Sequence, residues 1–148
     1  MRIYMDVCCL NRPFDDLSQT RVFFEAEAVL AILSSCEKGI WMLVGGEVIL
    51  AEISRATDSV KKQNILALYT VAIESLELTT EAYDRAIALQ QLGFKRFDSM
   101  HIAVAEANSV DVFLTVDDWL LKASKRVNLG VQVENPTKWL VEVLNNEH

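Results

Sequence analysis

A chain of 148 residues, 51% of them hydrophobic and with only 2 Pro and 5 Gly, can bury a real core and is neither disordered nor fibrous in composition. Its apolar runs fall far short of the roughly 20 residues a membrane span needs, and Asp6 interrupts the first one too early for a signal peptide. A formal net charge of −7 gives nucleic acid no general attraction, yet acids gathered to hold metal can leave a nuclease negative overall. With no export signal the chain is expected in a reducing cytoplasm. There Cys8, Cys9 and Cys36, odd in number and without zinc-ligand spacing, read as free buried thiols.

Short apolar runs alternate with helical stretches, the pattern of an α/β fold around a mainly parallel sheet. Arg2–Met5 reads as the first strand. Asn11-Arg12-Pro13 breaks the chain, and Asp15, Asp16 or Ser18 can cap a helix with Phe23, Ala26, Leu30 and Leu33 on its apolar face, ended by Gly39. Residues 40–44 read as strand two, and Gly45-Gly46 as the turn into a helix over 47–56. A helix over 60–69 and a strand over 75–78 follow. Thr79 or Thr80 caps a helix over 81–92 that Gly93 stops, and the next helix runs over 97–107 with Asn108 as a left-handed cap. The β-branched and aromatic run 110–115 is the clearest strand. Asp117 or Asp118 then opens a short helix through Ala123, residues 130–133 form an edge strand, and Asn135-Pro136 start the closing helix. No linker, repeat or low-complexity tract divides the chain, so residues 1–148 are expected to form a single domain.

Ligands of open parallel sheets bind outside the carboxyl ends of the strands, which directs attention to the polar residues placed there. Asp6 ends the first strand, Asp117 and Asp118 follow the run 110–115, and Asp98 stands in the first turn of an otherwise apolar and small-residue helix. Glu52 lies mid-helix among Val48, Ile49, Leu50, Ala51 and Ile53; Glu47 competes for its role, but five residues turn a helix through about 140°, so the two cannot share a face. Of the adjacent pair, Asp117 is nearer the strand end and Asp118 is expected as an outer ligand. Clustered carboxylates repel one another unless a cation sits among them. Hard oxygen donors suit Mg²⁺ or Mn²⁺, and such a cluster points to metal-assisted hydrolysis of a phosphodiester without an amino-acid nucleophile.

The runs Ile3-Tyr4-Met5-Asp6, Ala51-Glu52-Ile53, Phe97-Asp98-Ser99-Met100-His101-Ile102-Ala103 and Phe113-Leu114-Thr115-Val116-Asp117-Asp118 resemble, in order and spacing, the PIN-domain family over about residues 1–125. The resemblance implies a PIN-like three-layer α/β/α fold with a mainly parallel five-stranded sheet. It also implies a Mg²⁺- or Mn²⁺-dependent ribonuclease with Asp6, Glu52, Asp98 and Asp117 as metal-binding residues. VapC-like members are often the toxin of a bacterial toxin–antitoxin pair, so RNA as substrate, a small antitoxin as partner and a homodimer come with it. Two departures stand out: Val7, with Cys8 and Cys9 behind it, follows the first Asp where many members have Thr or Ser, and Gly45-Gly46 replace a Ser or Thr before the Glu helix.

Around the four acids, Thr115 is expected to orient Asp117 or a metal-bound water, and Asn11 and Arg12 to touch substrate phosphate or an antitoxin. Lys95-Arg96 are expected to offset acid charge, and His101 to be a packing or surface residue. A receiver-type phosphoacceptor domain or a haloacid-dehalogenase-type phosphatase would need a second acid beside Asp6, and Asp6-Val7-Cys8 has none. The standing alternative is a PIN-like scaffold that binds a protein partner without cutting RNA.

Overall fold

The computed structural model describes residues 1–146. Among them five strands, β1 (Arg2–Met5), β2 (Met42–Gly46), β3 (Glu74–Leu76), β4 (Val112–Leu114) and β5 (Gln132–Glu134), form one sheet in the order β3-β2-β1-β4-β5, every pair parallel. The strands that cross the middle are buried on both faces, which is why Ile3-Tyr4-Met5 and Val112-Phe113-Leu114 are continuous apolar runs rather than alternating ones.

Among the described residues eight helices surround the sheet: α1 (Val7–Asn11), α2 (Thr20–Glu37), α3 (Glu47–Ser54), α4 (Ser59–Tyr69), α5 (Thr80–Gln91), α6 (Arg96–Ala107), α7 (Asp118–Ser124) and α8 (Pro136–Asn146). The chain builds outward from β1 to β3, then crosses back to lay β4 on the other side of β1. Right-handed crossovers running in opposite directions put α2 on one face of the sheet and α5 and α6 on the other, giving the three-layer α/β/α arrangement expected. On the first face α8 packs against α2, and Trp139 of α8 meets Trp41 edge-on with ring centroids 5.0 Å apart. On the second, α5 packs on α6, whose His101 lies against Tyr4 of β1 and Phe113 of β4. The direction of winding reverses between β1 and β4, so the carboxyl ends of those two strands open a crevice at the switch point. No helix among the described residues is long and apolar enough to cross a membrane.

Several local expectations are corrected. The short helix α1 and a 3₁₀ turn at Arg12–Phe14 fill what reads in sequence as a break. None of Asp15, Asp16 and Ser18 caps α2: it starts at Thr20 behind Gln19, and the Asp16 carboxylate instead accepts from the Ser18 N–H in the preceding turn. The buried stripe of α2 runs through Val22, Ala26, Val29, Leu33 and Cys36, which leaves Phe23 and Leu30 exposed. Gly45 and Gly46 are the end of β2 rather than a turn. Asn108 is not left-handed, with φ −108°; Ser109 takes that conformation at φ 52°. Thr79 caps α5, Asn135 accepts from the Thr137 N–H at the start of α8, and β5 is an edge strand, as the sequence indicates.

Candidate functional site

Asp6 stays in the sheet one residue beyond β1, its N–H donating to the Leu114 carbonyl at 2.9 Å, before the chain turns into α1. Its side chain does not cap that helix. Oδ2 accepts instead from Thr115 Oγ1 at 2.8 Å and from Cys8 Sγ at 3.3 Å, and the carboxylate is buried. Thr115 lies directly after β4, and its Oγ1 also accepts from the Asp117 N–H at 3.2 Å. One hydroxyl thereby joins the chain ends leaving β1 and β4. Asp117 is the N-cap of α7, its Oδ1 accepting from the N–H groups of Trp119 and Leu120 at 2.9 and 3.2 Å.

Asp98 projects from the first turn of α6, and Glu52 from the middle of α3. Asp6, Glu52, Asp98 and Asp117 all line one cleft of about 390 Å³, together with Lys61 and Lys95. Burial, the dominant cause, raises the Asp6 carboxyl above its ordinary value, and the Glu52 charge adds to this; His101, Thr115 and Cys8 oppose it. Asp98 is raised from 3.8 to about 7, first by burial and then by the charges of Asp6, Asp117 and Glu52. Its Oδ2 is buried and has no hydrogen-bond partner among the described residues. A buried acceptor without a donor, beside three more carboxylates, is the donor set a hard divalent cation would satisfy. Asp6, Glu52, Asp98 and Asp117 are the residues that could hold it.

The remaining expected residues divide. Asn11 lines the cleft, with its amide donating to Asp15 Oδ1 at 2.9 Å. Arg12 also reaches the wall, but its guanidinium is engaged by Glu25 at 2.8 Å and Asp15 at 3.1 Å, so it holds the α1–α2 connection rather than standing free for phosphate. Asp118 is outside the cleft: both its oxygens are taken by Arg21 at 2.7 Å on the exposed side of α7, which corrects its placement as an outer ligand. Thr115 engages Asp6 as well as Asp117, a pairing the sequence did not disclose. Glu47 accepts from the Leu78 N–H and is not among the cleft residues. Lys95 lines the cleft with its ammonium 5.5 Å from the centroid of the Trp119 ring, whereas Arg96 lines a neighbouring groove.

Three residues were missed as site residues. Lys61 of α4 and Cys8 of α1 line the cleft. His101, read as packing or surface, is fully buried; its ring does pack on Tyr4 and Phe113, but both nitrogens are also engaged. Nδ1 lies 2.6 Å from the Tyr4 hydroxyl and Nε2 lies 2.7 Å from Glu52 Oε1. One donor atom each from Asp6, Glu52 and His101 falls within 4.8 Å of the others. The available signal was His101 standing three residues after Asp98 on a helix otherwise apolar at those positions, hence on the same face.

The chain is similar in fold to a chain of VapBC2 from Rickettsia felis, whose crystal structure is bound to a DNA fragment from their promoter. The TM-score is 0.59 and the identity 16%, over 91% of this chain and 98% of that chain. No protein-family model matches the chain, and no curated protein matches it. At that identity the likeness carries the fold, and the fold is PIN-like.

Proposed function

We propose that this protein is a metal-dependent ribonuclease that hydrolyses RNA phosphodiester bonds. The observation that carries the reading is the convergence of Asp6, Glu52, Asp98 and Asp117 on one cleft at the β1–β4 switch point, with Asp98 Oδ2 buried and unpaired. Mg²⁺ or Mn²⁺ held there would lower the pKa of a bound water and offset charge on the phosphate under attack.

The chain's own residues supply the rest. Thr115 and Cys8 orient Asp6 through its Oδ2, and the α7 N-terminus fixes Asp117 through its Oδ1. Lys61 and Lys95 give the cleft the positive charge that a molecule of net charge −7 otherwise lacks for drawing in a phosphate backbone. The fold shared with a VapBC2 chain supports the finer reading of a toxin of a toxin–antitoxin pair with a small antitoxin as partner; a homodimer and action in the cytoplasm are further parts of the proposal.

The test is cleavage of a mixed single-stranded RNA with Mn²⁺, with EDTA, and by the Asp6→Asn and Asp98→Asn variants. The expected result is cutting that needs Mn²⁺ and falls at least about 100-fold in either variant, the scale on which lost charge stabilisation acts. No Mn²⁺ uptake at millimolar concentration, with no cutting, would leave the non-catalytic scaffold as the better reading.

A further inference from the structure

Behind the cleft, three polar side chains from three elements form a buried row. Tyr4 of β1 and His101 of α6 have no exposed surface, while Glu52 of α3 keeps 30% of its side chain accessible. The Tyr4 hydroxyl meets His101 Nδ1 at 2.6 Å and has no other hydrogen-bond partner among the described residues. A phenolic hydroxyl carries one hydrogen to donate. That proton has only Nδ1 to go to. With Nδ1 accepting, the ring's own hydrogen sits on Nε2, 2.7 Å from Glu52 Oε1 and 3.9 Å from Asp6 Oδ1. The direction of donation is therefore Tyr4 to His101 to Glu52.

We infer that His101 is a positioning residue: with its hydrogen fixed on Nε2 by Tyr4, it holds Glu52 in place for a cation in the cleft. The inference rests on the metal-dependent reading above. His101 is not among the cleft-lining residues, so it acts on Glu52 from behind. A glutamate on a helix surface has several rotamers to lose, and engaging Oε1 removes that freedom while Oε2 keeps no partner among the described residues. Packing alone does not account for the imidazole. Its neighbours Tyr4, Phe97 and Phe113 are aromatic rings at 5.4 to 6.3 Å, a setting that phenylalanine would fill without the cost of burying two polar nitrogens.

The experiment compares wild type with His101→Phe, His101→Gln and Tyr4→Phe in the full chain, after thermal unfolding has shown each to be folded. Three quantities are read: the ring ¹⁵N shifts of His101, assigned against a His148→Gln control; Mn²⁺ affinity by calorimetry; and kcat and KM for RNA cleavage. In metal-free wild type the hydrogen is expected on Nε2. His101→Phe is expected to weaken Mn²⁺ binding and kcat/KM about 10–100-fold, as loss of a group orienting a metal ligand does. His101→Gln, whose amide can still donate to Glu52, recovers most of that loss despite its poorer packing. If His101→Phe does not fold, Tyr4→Phe carries the test: mixed tautomers and weaker Mn²⁺ binding support the relay, and unchanged values for both overturn it. A hydrogen found on Nδ1, or a folded His101→Phe that binds Mn²⁺ as well as His101→Gln or better, overturns it too. A wild type that takes up no Mn²⁺ instead removes the metal-dependent reading, and the positioning role with it. Wild type that binds and cuts while the variants match it removes the positioning role alone.

Discussion

The Thr115 hydroxyl touches two of the four cleft acids at once. Oγ1 donates to Asp6 Oδ2 at 2.8 Å and accepts from the Asp117 N–H at 3.2 Å, and the residue is fully buried. Thr115→Val keeps the shape and removes both bonds, leaving the half-buried Asp117 N–H unpaired and Asp6 Oδ2 with only the weak Cys8 thiol donor. The expected cost is about 1–3 kcal/mol in urea unfolding, with an unchanged m-value and weaker Mn²⁺ binding, and Thr115→Ser restoring most of both. A stability loss without any change in Mn²⁺ binding would make Thr115 a tie between strands and nothing more. At this scale the acids were legible because each breaks an apolar pattern where the fold needs no charge. Their partners were not. Tyr4 and His101 are 97 residues apart, Glu52 and His101 are 49 apart, and nothing local to any of them signals the meeting. Chain position ranked Asp117 ahead of Asp118, but the Arg21 side chain that takes both Asp118 oxygens comes alongside only by folding.

The strand β2 and the helix that follows it depend on two glycines whose purpose is steric. Gly46 has φ 156°, and a Cβ there would run into the backbone of Leu76 on the paired strand β3. At Gly45 a Cβ would meet the ring of Tyr69, whose hydroxyl accepts from the Gly46 N–H at 3.0 Å. Gly46 is also the residue before α3, so its backbone sets the direction in which Glu52 leaves the sheet. Gly46→Ala is expected to cost about 2–5 kcal/mol, the sum of backbone strain and overpacking, and to weaken Mn²⁺ binding in whatever fraction stays folded. Denaturant unfolding with parallel calorimetry checks it, and a neutral substitution would show that β3 can shift at no cost. In the sequence Gly-Gly reads as a turn, because the residues it must clear lie 24 and 30 positions away. The rotation of the α2 stripe escaped for a related reason. Glu25 is buried among Arg12, Arg21 and Asn135, so a charged position faces inward while Phe23 and Leu30 stay exposed. Periodicity ranks residues by polarity and does not count the Arg12 and Arg21 ion pairs, or the Asn135 amide from distant chain, that let Glu25 face inward. Helix and strand order, by contrast, follows from local runs and punctuation, which is why it was readable.

For the molecule as a whole, the same acids that would hold a cation should make its metal-free form sensitive to pH. Asp98 titrates at about 7 in the folded chain against 3.8 ordinarily, and Asp6 is shifted in the same direction. Between those two values the folded state holds a proton that the unfolded chain has released. The Asp98 contribution to stability is therefore fully present below about pH 4 and is lost as pH rises through about 7. Asp118, lowered by Arg21, and Asp16, lowered by Ser18, act the other way: their contributions are lost as pH falls below the ordinary carboxylate range. Without metal, Tm is thus expected to fall as pH rises from 5 to 8, and Asp98→Asn to flatten that slope and be the more stable form at the alkaline end. A bound divalent cation favours the ionised carboxylates, so Mn²⁺ should raise Tm most where the metal-free protein is weakest. Thermal unfolding across this range in EDTA and in Mn²⁺ reads all of this directly. Should Tm in EDTA climb steadily toward pH 8 in wild type, the four carboxylates would not be straining against one another, and the cleft would lose its physical claim on a cation.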